Sequence, residues 1–535
     1  MSGAHFNARQ LALLAGLTLV WGLNWPIMKF GVTQFPPLSF RALSMWLGLP
    51  VLWLAVRGLG QPLRIARRDW PELTRLTITN MIVWHVLAIL SVQALSSGRA
   101  AILGYTMPVF SALWGMALFG QRLAARQLAG VAAAAIGVAL LLWHELGRMS
   151  GKPWAAGGML LSPTFVDPHF HMDATLSYGL PRVNASGTLL EGIALWGELK
   201  PTLTADAIIE RALTYCDWAA AKGLLAIRSH VDTSDPSLRA VEALLEVKRC
   251  VAPYLDLQLV AFPQDGVLRT KGGVDNLKRA LDLGVDVVGG IPHFERTMAD
   301  GAASVKLLCE IAAERGKLVD MHCDESDDPL SRHIETLAFE TQRLGLHGRV
   351  TGSHCTSMHS MDNYYVSKLL PLIAESQVSV VANPLINITL QGRHDTYPKR
   401  RGMTRVPELL AAGVNVAFGH DCVMDPWYSL GSGDMLEVAH MGLHVAQMTS
   451  QSAMRQCFET VTSNAAQVMH LQGYGLDVGC DASFVLLQAR DPIEAIRLRA
   501  TRLKVFRRGR LVAQTVPTAA SLAIDGRPPR LDWTR

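Results

Sequence analysis

The chain has 535 residues, 50% of them hydrophobic and 18% charged, with a formal net charge of +5. That length exceeds what one ordinary core supports, so two or more domains are expected. The positive excess is local: up to Gly147 eleven Lys/Arg face only Asp69, Glu72 and Glu145, whereas the remainder holds 39 Lys/Arg against 42 Asp/Glu. A slightly acidic polar part argues against a nucleic-acid partner.

Five apolar runs open the chain, roughly Leu11–Phe30, Leu38–Val56, Leu76–Leu95, Ala100–Phe119 and Leu128–Trp143. Each approaches the ~20 residues a helix needs to cross a hydrocarbon core, and acids are nearly absent. Trp21, Trp25, Trp46, Trp53, Trp84 and Trp143 stand near several run ends, as an interfacial aromatic belt requires. Small residues from Gly130 to Gly137 allow close helix packing. The expectation is an all-α region of about five membrane helices over residues 1–147, with the lipid bilayer as partner and the cell membrane as location. No cleavable signal peptide is read, because the first run does not end in a small-residue cleavage site.

Leu19-Val20-Trp21-Gly22-Leu23-Asn24-Trp25, Pro37 with Arg41, and Phe119-Gly120-Gln121-Arg122-Leu123 resemble the first half of the drug/metabolite (EamA-like) transporter family. The family usually has Glu where Gln121 stands. The resemblance implies two five-helix repeats, yet no second repeat follows, so transport would need a second chain. Arg57, Arg64, Arg67, Arg68 and Arg75 place their loop in the cytoplasm, and Arg122 and Arg126 agree. Five spans would then leave the next domain on the opposite side. All eight cysteines lie in that later part without a CxxC pair, which fits reduced thiols of a cytoplasmic enzyme. The two expectations conflict.

Residues 148–163 read as a junction. Beyond them, β-branched runs at Thr164–His171, Leu224–Val231, Asp256–Gln264, Val285–His293, Lys317–Glu325, Arg349–Thr356, Val378–Pro384 and Asn415–Asp421 are the candidate strands. They alternate with helix-patterned stretches such as Asp206–Lys222, Pro236–Cys250, Gly301–Arg315 and Val406–Ala412. Eight alternations predict parallel βαβ units closed into an α/β (β/α)8 barrel over residues 164–430. Residues 431–535 then hold terminal helices and the remnants of a small β-sandwich.

The polar residues gather at one place in this register. His171, His230, Gln264, His293, His322, Glu325, His354 and Asp421 sit at or just past the end of an apolar run, and a parallel barrel brings those ends to one face. His169 and His171 share one face of the first strand. With His322 and Asp421 they offer three nitrogens and a carboxylate, a set for one Zn2+ or Fe2+ that leaves room for a water of lowered pKa. No lysine ends Val285–His293 to bridge a second ion. Glu325, three residues after His322, is placed to carry a proton from water to a ring nitrogen. His354 is placed to donate a hydrogen bond to the attacking oxygen, and Asp421 to collect its proton. Gln264 pairs donor and acceptor for an amide-like ring edge. His230 and His293 read as supporting or packing histidines.

At this point a second resemblance is carried by Val166-Asp167-Pro168-His169-Phe170-His171-Met172-Asp173, Ser186-Gly187-Thr188-Leu189, Ala261-Phe262-Pro263-Gln264, His322-Cys323-Asp324-Glu325, Gly352-Ser353-His354, Gln391-Gly392-Arg393, Asp395-Thr396-Tyr397-Pro398-Lys399-Arg400-Arg401, Gly419-His420-Asp421 and Asp425-Pro426-Trp427-Tyr428. These blocks resemble the bacterial cytosine deaminases of the amidohydrolase superfamily. The resemblance implies a metal-dependent hydrolase that converts a free nucleobase, cytosine or a 5-substituted cytosine, into the corresponding uracil and ammonia. It implies His169, His171, His322 and Asp421 as metal ligands, Glu325 as proton shuttle and His354 as its assistant. Gln264 and the Leu189 backbone would hold the ring, with Trp427 closing over it.

Two departures stand out. Cys422 replaces a second aspartate, which predicts a roomier, less polar wall and a shift toward 5-substituted cytosines. The strands that normally precede strand one are replaced by transporter-like sequence, so Ala482–Leu487 and Lys504–Val512 are expected to lack N-terminal partners and to be less stable for it. The competing readings are a transporter half with an inactive or regulatory amidohydrolase-like domain, and a non-functional fusion. Homo-oligomerisation stays open.

Overall fold

The computed structural model describes residues 35–60, 65–86 and 159–527, with isolated positions between 24 and 32, at 89, at 154–156, and at 531 and 533. The chain divides into two units, Met1–Arg148 and Met149–Arg535.

In the first unit α1 (Pro37–Gly58) is, among the described residues, the one helix long and apolar enough to cross a membrane. Pro37 opens it at the first helical position, where the missing N–H would be unpaired anyway. No residue of α1 is buried by protein, and Trp46, Leu47, Leu52, Trp53 and Leu54 are exposed. A second helix, α2 (Trp70–Leu76), runs on through a π-helical stretch at Thr77–Val83, inside the third apolar run. The fourth and fifth runs, and most of the first, lie outside the described residues. One span of the expected five is therefore visible.

The second unit contains the eight expected strands: β3 (Phe165–Phe170), β4 (Leu224–Asp232), β5 (Asp256–Phe262), β6 (Val287–Gly290), β7 (Leu318–Cys323), β8 (Val350–His354), β9 (Ser379–Ala382) and β10 (Val416–Phe418). They form one parallel sheet in sequence order. All nine residues of β4 are buried, as expected of a strand covered on both faces. Each strand is followed by helical cover: α3 (Leu189–Leu199) and α4 (Ala205–Ala221) after β3, then α5 (Arg239–Val251), α6 (Gly273–Asp282), α7 (Met298–Arg315), α8 (His333–Leu344), α9 (Asn363–Glu375), α10 (Pro384–Leu390) and α11 (Val406–Ala411), with α12 (Met435–Val445) after β10. Local chemistry sets their ends. Thr297 Oγ1 caps α7 by accepting the Asp300 N–H at 3.0 Å, and Gly316 stops that helix in the left-handed region at φ 64°.

Strands β3 and β10 meet directly at their upper ends, where the His171 N–H donates to the Asp421 carbonyl at 3.0 Å and the Asp421 N–H to the His169 carbonyl at 2.9 Å. Lower down, Thr460 and Val461 are wedged between them, accepting from Phe418 and Val166. Val166, Ala226, Val381, Ala417 and the helix around Ala465–Val468 plug the floor of the barrel. Just above, the fully buried Arg228 donates to Gln258 at 2.7 Å and to Asp320 and the Val468 carbonyl at 2.8 Å. A charge buried this deeply persists only when paired and hydrogen-bonded.

The small sheet corrects one expectation. It has five strands in the order β1 (Trp154–Ala156), β2 (Met159–Pro163), β11 (Phe484–Leu487), β12 (Arg502–Arg507), β13 (Arg510–Gln514). N-terminal partners for the closing strands are present, because the end of the junction, Met159–Pro163, pairs antiparallel with Phe484–Leu487. Strand β11 is thus flanked on both sides, and Leu160 and Val485 are buried in the main core.

Candidate active site

Strand ends carry the site side chains, and the barrel brings them to one mouth. His171 Nε2 lies 3.0 Å from His322 Nε2 and 3.3 Å from Asp421 Oδ1, and His169 Nε2 lies 3.4 Å from the same oxygen. Donors ~2.1 Å from one tetrahedral ion stand ~3.4 Å apart, so these three separations are of the size found in a ligand set. His169 Nε2, the nitrogen that faces Asp421, is buried without a hydrogen-bond partner, the condition that a cation relieves. Nitrogens and a carboxylate suit Zn2+ or Fe2+.

The cluster is wider than the four residues expected. His354 joins His169, His322 and Asp421 in one group, and His230 joins His169 and His171 in another, the candidate ligand atoms of each lying within 4.8 Å of one another. The His230 ring lies 4.2 Å from that of His169, tilted by 39°, and its Nε2 approaches Asp320 at 3.6 Å. His293 stands at the edge, its Nδ1 3.1 Å from the His322 carbonyl oxygen.

Burial and neighbouring imidazoles push His322 and His354 well below the ordinary imidazole range, so both are neutral at pH 7 and able to ligate. Burial alone would raise Asp421, but His169 and His171 outweigh it and hold the carboxylate ionised. Glu325 goes the other way: burial, with the Asp421 charge beside it, pushes it well above the usual carboxylate value. Two carboxyls pushed apart in this way divide acid and base roles.

Two asparagines missed in the sequence hold His354. Asn387 Nδ2 lies 2.9 Å and Asn383 Nδ2 3.3 Å from its Nδ1. Asn383 follows the last residue of β9, so the strand-end rule that found the histidines applies to it as well. His354 and Asp421 both have positive φ, 68° and 69°. Such backbone costs ~1–3 kcal/mol per residue and persists where surrounding bonds over-determine it.

A cavity of about 620 Å3 opens above the cluster. Its lining includes His171, Leu189, Gln264, His322, Glu325, His354, Asp421, Cys422 and Trp427, together with Ile193, Phe294 and Leu390. His169 lies beneath it, fully buried. Asp425, next to Cys422, is driven up to about 7 by burial.

Residues 154–516 match the amidohydrolase family, and residues 9–143 match the EamA-like transporter family. A solved structure of 5-methylcytosine deaminase from Klebsiella pneumoniae, liganded with phosphonocytosine, is 44% identical, with a TM-score of 0.67 over 68% of this chain and 88% of that one. An N-isopropylammelide isopropyl amidohydrolase of Pseudomonas sp. (strain ADP) is 29% identical over 67% of this chain and 87% of its own length. A pterin deaminase of Rhizobium rhizogenes is also 29% identical, over 66% of this chain and 81% of its own. The transporters matched by the first part are spanned over 33 to 47% of their length. The match runs from the first strand of the small sheet past its last, through every strand that carries a site residue, and the chain accordingly belongs to the amidohydrolase family, with an EamA-like transporter segment ahead of its enzyme domain.

Proposed function

We propose that the barrel deaminates a free aminopyrimidine, converting a 5-substituted cytosine in preference to cytosine, with water, into the corresponding uracil and ammonia. The observation that carries the reading is the approach of His169 and His171 to Asp421 at 3.4 and 3.3 Å, and of His322 to His171 at 3.0 Å, directly under a cavity walled by Glu325, Gln264 and Cys422. Those four residues would hold one divalent ion, Zn2+ or Fe2+, which supplies Lewis acidity and an acidified water. Gln264 binds the amide-like edge of the ring with both ends of its side chain. Glu325, its Oε1 3.6 Å from His354 Nδ1, moves protons to the ring nitrogen and to the departing amine. His354, locked by Asn383 and Asn387, orients the attacking oxygen.

Cys422 supports the 5-substituted ring, because a thiol in place of a carboxylate leaves an apolar wall, and the Klebsiella relative acts on 5-methylcytosine. All eight cysteines are free, which suits a catalytic unit on the cytoplasmic side. The EamA-like segment, residues 1–147, would serve as its membrane attachment, with the catalytic barrel at residues 164–430.

The test is ammonia release from a panel of aminopyrimidines by the full-length protein loaded with Zn2+ or Fe2+. Release from 5-methylcytosine and cytosine is expected. E325Q should lower turnover by ~10^2–10^4-fold while ring binding persists. Wild-type protein that releases no ammonia from any aminopyrimidine under either metal would overturn the reading in favour of a transporter half with an inactive barrel.

A further inference from the structure

Trp427 stands between α3 and the candidate metal ligands. Its indole is 6.2 Å from the His171 ring and 5.8 Å from Trp196, and only 9% of the residue is exposed. The backbone beneath it is fixed, since Asp425 Oδ1 accepts the N–H groups of both Trp427 and Tyr428 at 2.9 Å. On α3 the residue facing the indole is Gly192. A Cβ built there would fall 2.5 Å from Trp427 Cδ1 and 3.0 Å from Cγ and Nε1. Carbon atoms in contact prefer ~3.5–4.0 Å, so any side chain at 192 must displace the ring by roughly 1 Å.

The direction of that displacement is constrained. Trp196 is tied down by its Nε1 bond to Asp232 Oδ2 at 3.0 Å, and α3 blocks retreat, so the open side is the cavity that Trp427 lines. The backbone gives no reason for glycine at 192, which is helical, and glycine in mid-helix is destabilising relative to alanine. The indole does give one.

The cavity has space to distribute. Even at the ~30 Å3 that one water takes in the liquid, the eight heavy atoms of cytosine fill less than half of its 620 Å3. We infer that Gly192 is a specificity-determining position: by letting Trp427 sit close against α3 it withdraws the indole from the ring site and sets the size of ring substituent admitted. The inference rests on the aminopyrimidine reading, and it makes Gly192 a positioning residue acting through Trp427.

Full-length, metal-loaded G192A is compared with wild type by kcat/KM for cytosine and for 5-methylcytosine, and by quenching of tryptophan fluorescence on titration with each base. G197A, on the same helix with open space around its Cβ, is the control for helix composition. G192A should lower the preference for 5-methylcytosine by ~10-fold or more, mainly through KM, with the same ratio in the binding titration. G197A should match wild type, and W427F in the G192A background should recover part of the preference. Wild-type turnover with an unchanged ratio in G192A overturns the inference and leaves the proposed reaction standing. A wild type that neither binds nor deaminates either base overturns both.

Discussion

Cys422 sits beside the candidate ligand Asp421, 3% exposed, with its thiol pushed well above the usual range first by burial and then by Asp421 and Asp425. It therefore brings no charge to the cavity wall. C422D would place a further carboxylate among those of Asp421 and Asp425 and shrink the apolar wall. The expected outcome is a ~10-fold or larger fall in kcat/KM for 5-methylcytosine relative to cytosine, read from paired ammonia-release assays. A ratio that does not move would remove Cys422 from the specificity argument. At this scale the sequence was legible wherever a residue type is itself the chemistry. The imidazoles, Glu325 and Asp421 announce themselves as candidate ligands and proton carriers, whereas Asn383, Asn387 and Gly192 become visible only beside His354 and Trp427.

Strand ends are the elements on which the site is assembled, and they leave His169 Nε2 buried beside Asp421 without a hydrogen-bond partner. Chelation should therefore cost stability as well as activity. A ligand present at a hundredfold excess over its dissociation constant contributes ~2.7 kcal/mol, so stripping the metal should lower the melting temperature by several degrees. Readdition of Zn2+ or Fe2+ should restore it, with elemental analysis giving about one ion per chain. Identical melting before and after chelation would argue against an ion at this cluster. The small sheet shows the opposite side of legibility. Met159–Pro163 is five residues long with too little pattern to announce a strand, and its partner Phe484–Leu487 lies more than 300 positions later. Such a pairing is set by the docking of the whole sheet against the barrel, which no local periodicity records.

Across the second unit, one buried ion pair joins the two layers. Arg502 of β12 donates to Asp434 at the start of α12, through Nη1 at 3.0 Å and through Nη2, and Lys222 approaches the same carboxylate at 3.6 Å. Burial raises the Asp434 pKa, but the two cations outweigh it and hold the group below the usual aspartate value. The pair thus contributes stability at any pH above the ~3.9 of an unfolded aspartate, and loses it as pH falls through the lower folded-state value. D434N retains a good cap for α12, whose Leu436 N–H Asp434 accepts at 2.9 Å, while discarding the charge. It should destabilise the unit by ~3 kcal/mol or more at pH 7, and the gap to wild type should narrow below about pH 4. Thermal melts across that range check both statements, and a gap independent of pH would refute the assignment of the effect to the ion pair.

The amino-acid sequence by itself determined the eight strand-forming runs, the transporter-like opening, and the histidines and carboxylates at the run ends. Each of these is a local pattern, an apolar stretch followed by a polar stop, and a parallel barrel has only one face on which such stops can meet. The tertiary structure alone decided that His354 and His230 each join His169 in a group of ligand-spaced atoms, that the junction supplies a strand, and that Trp427 rests where α3 has no Cβ. Those are distances between side chains far apart in the chain, created by packing, and packing is a property of neighbours rather than of sequence order.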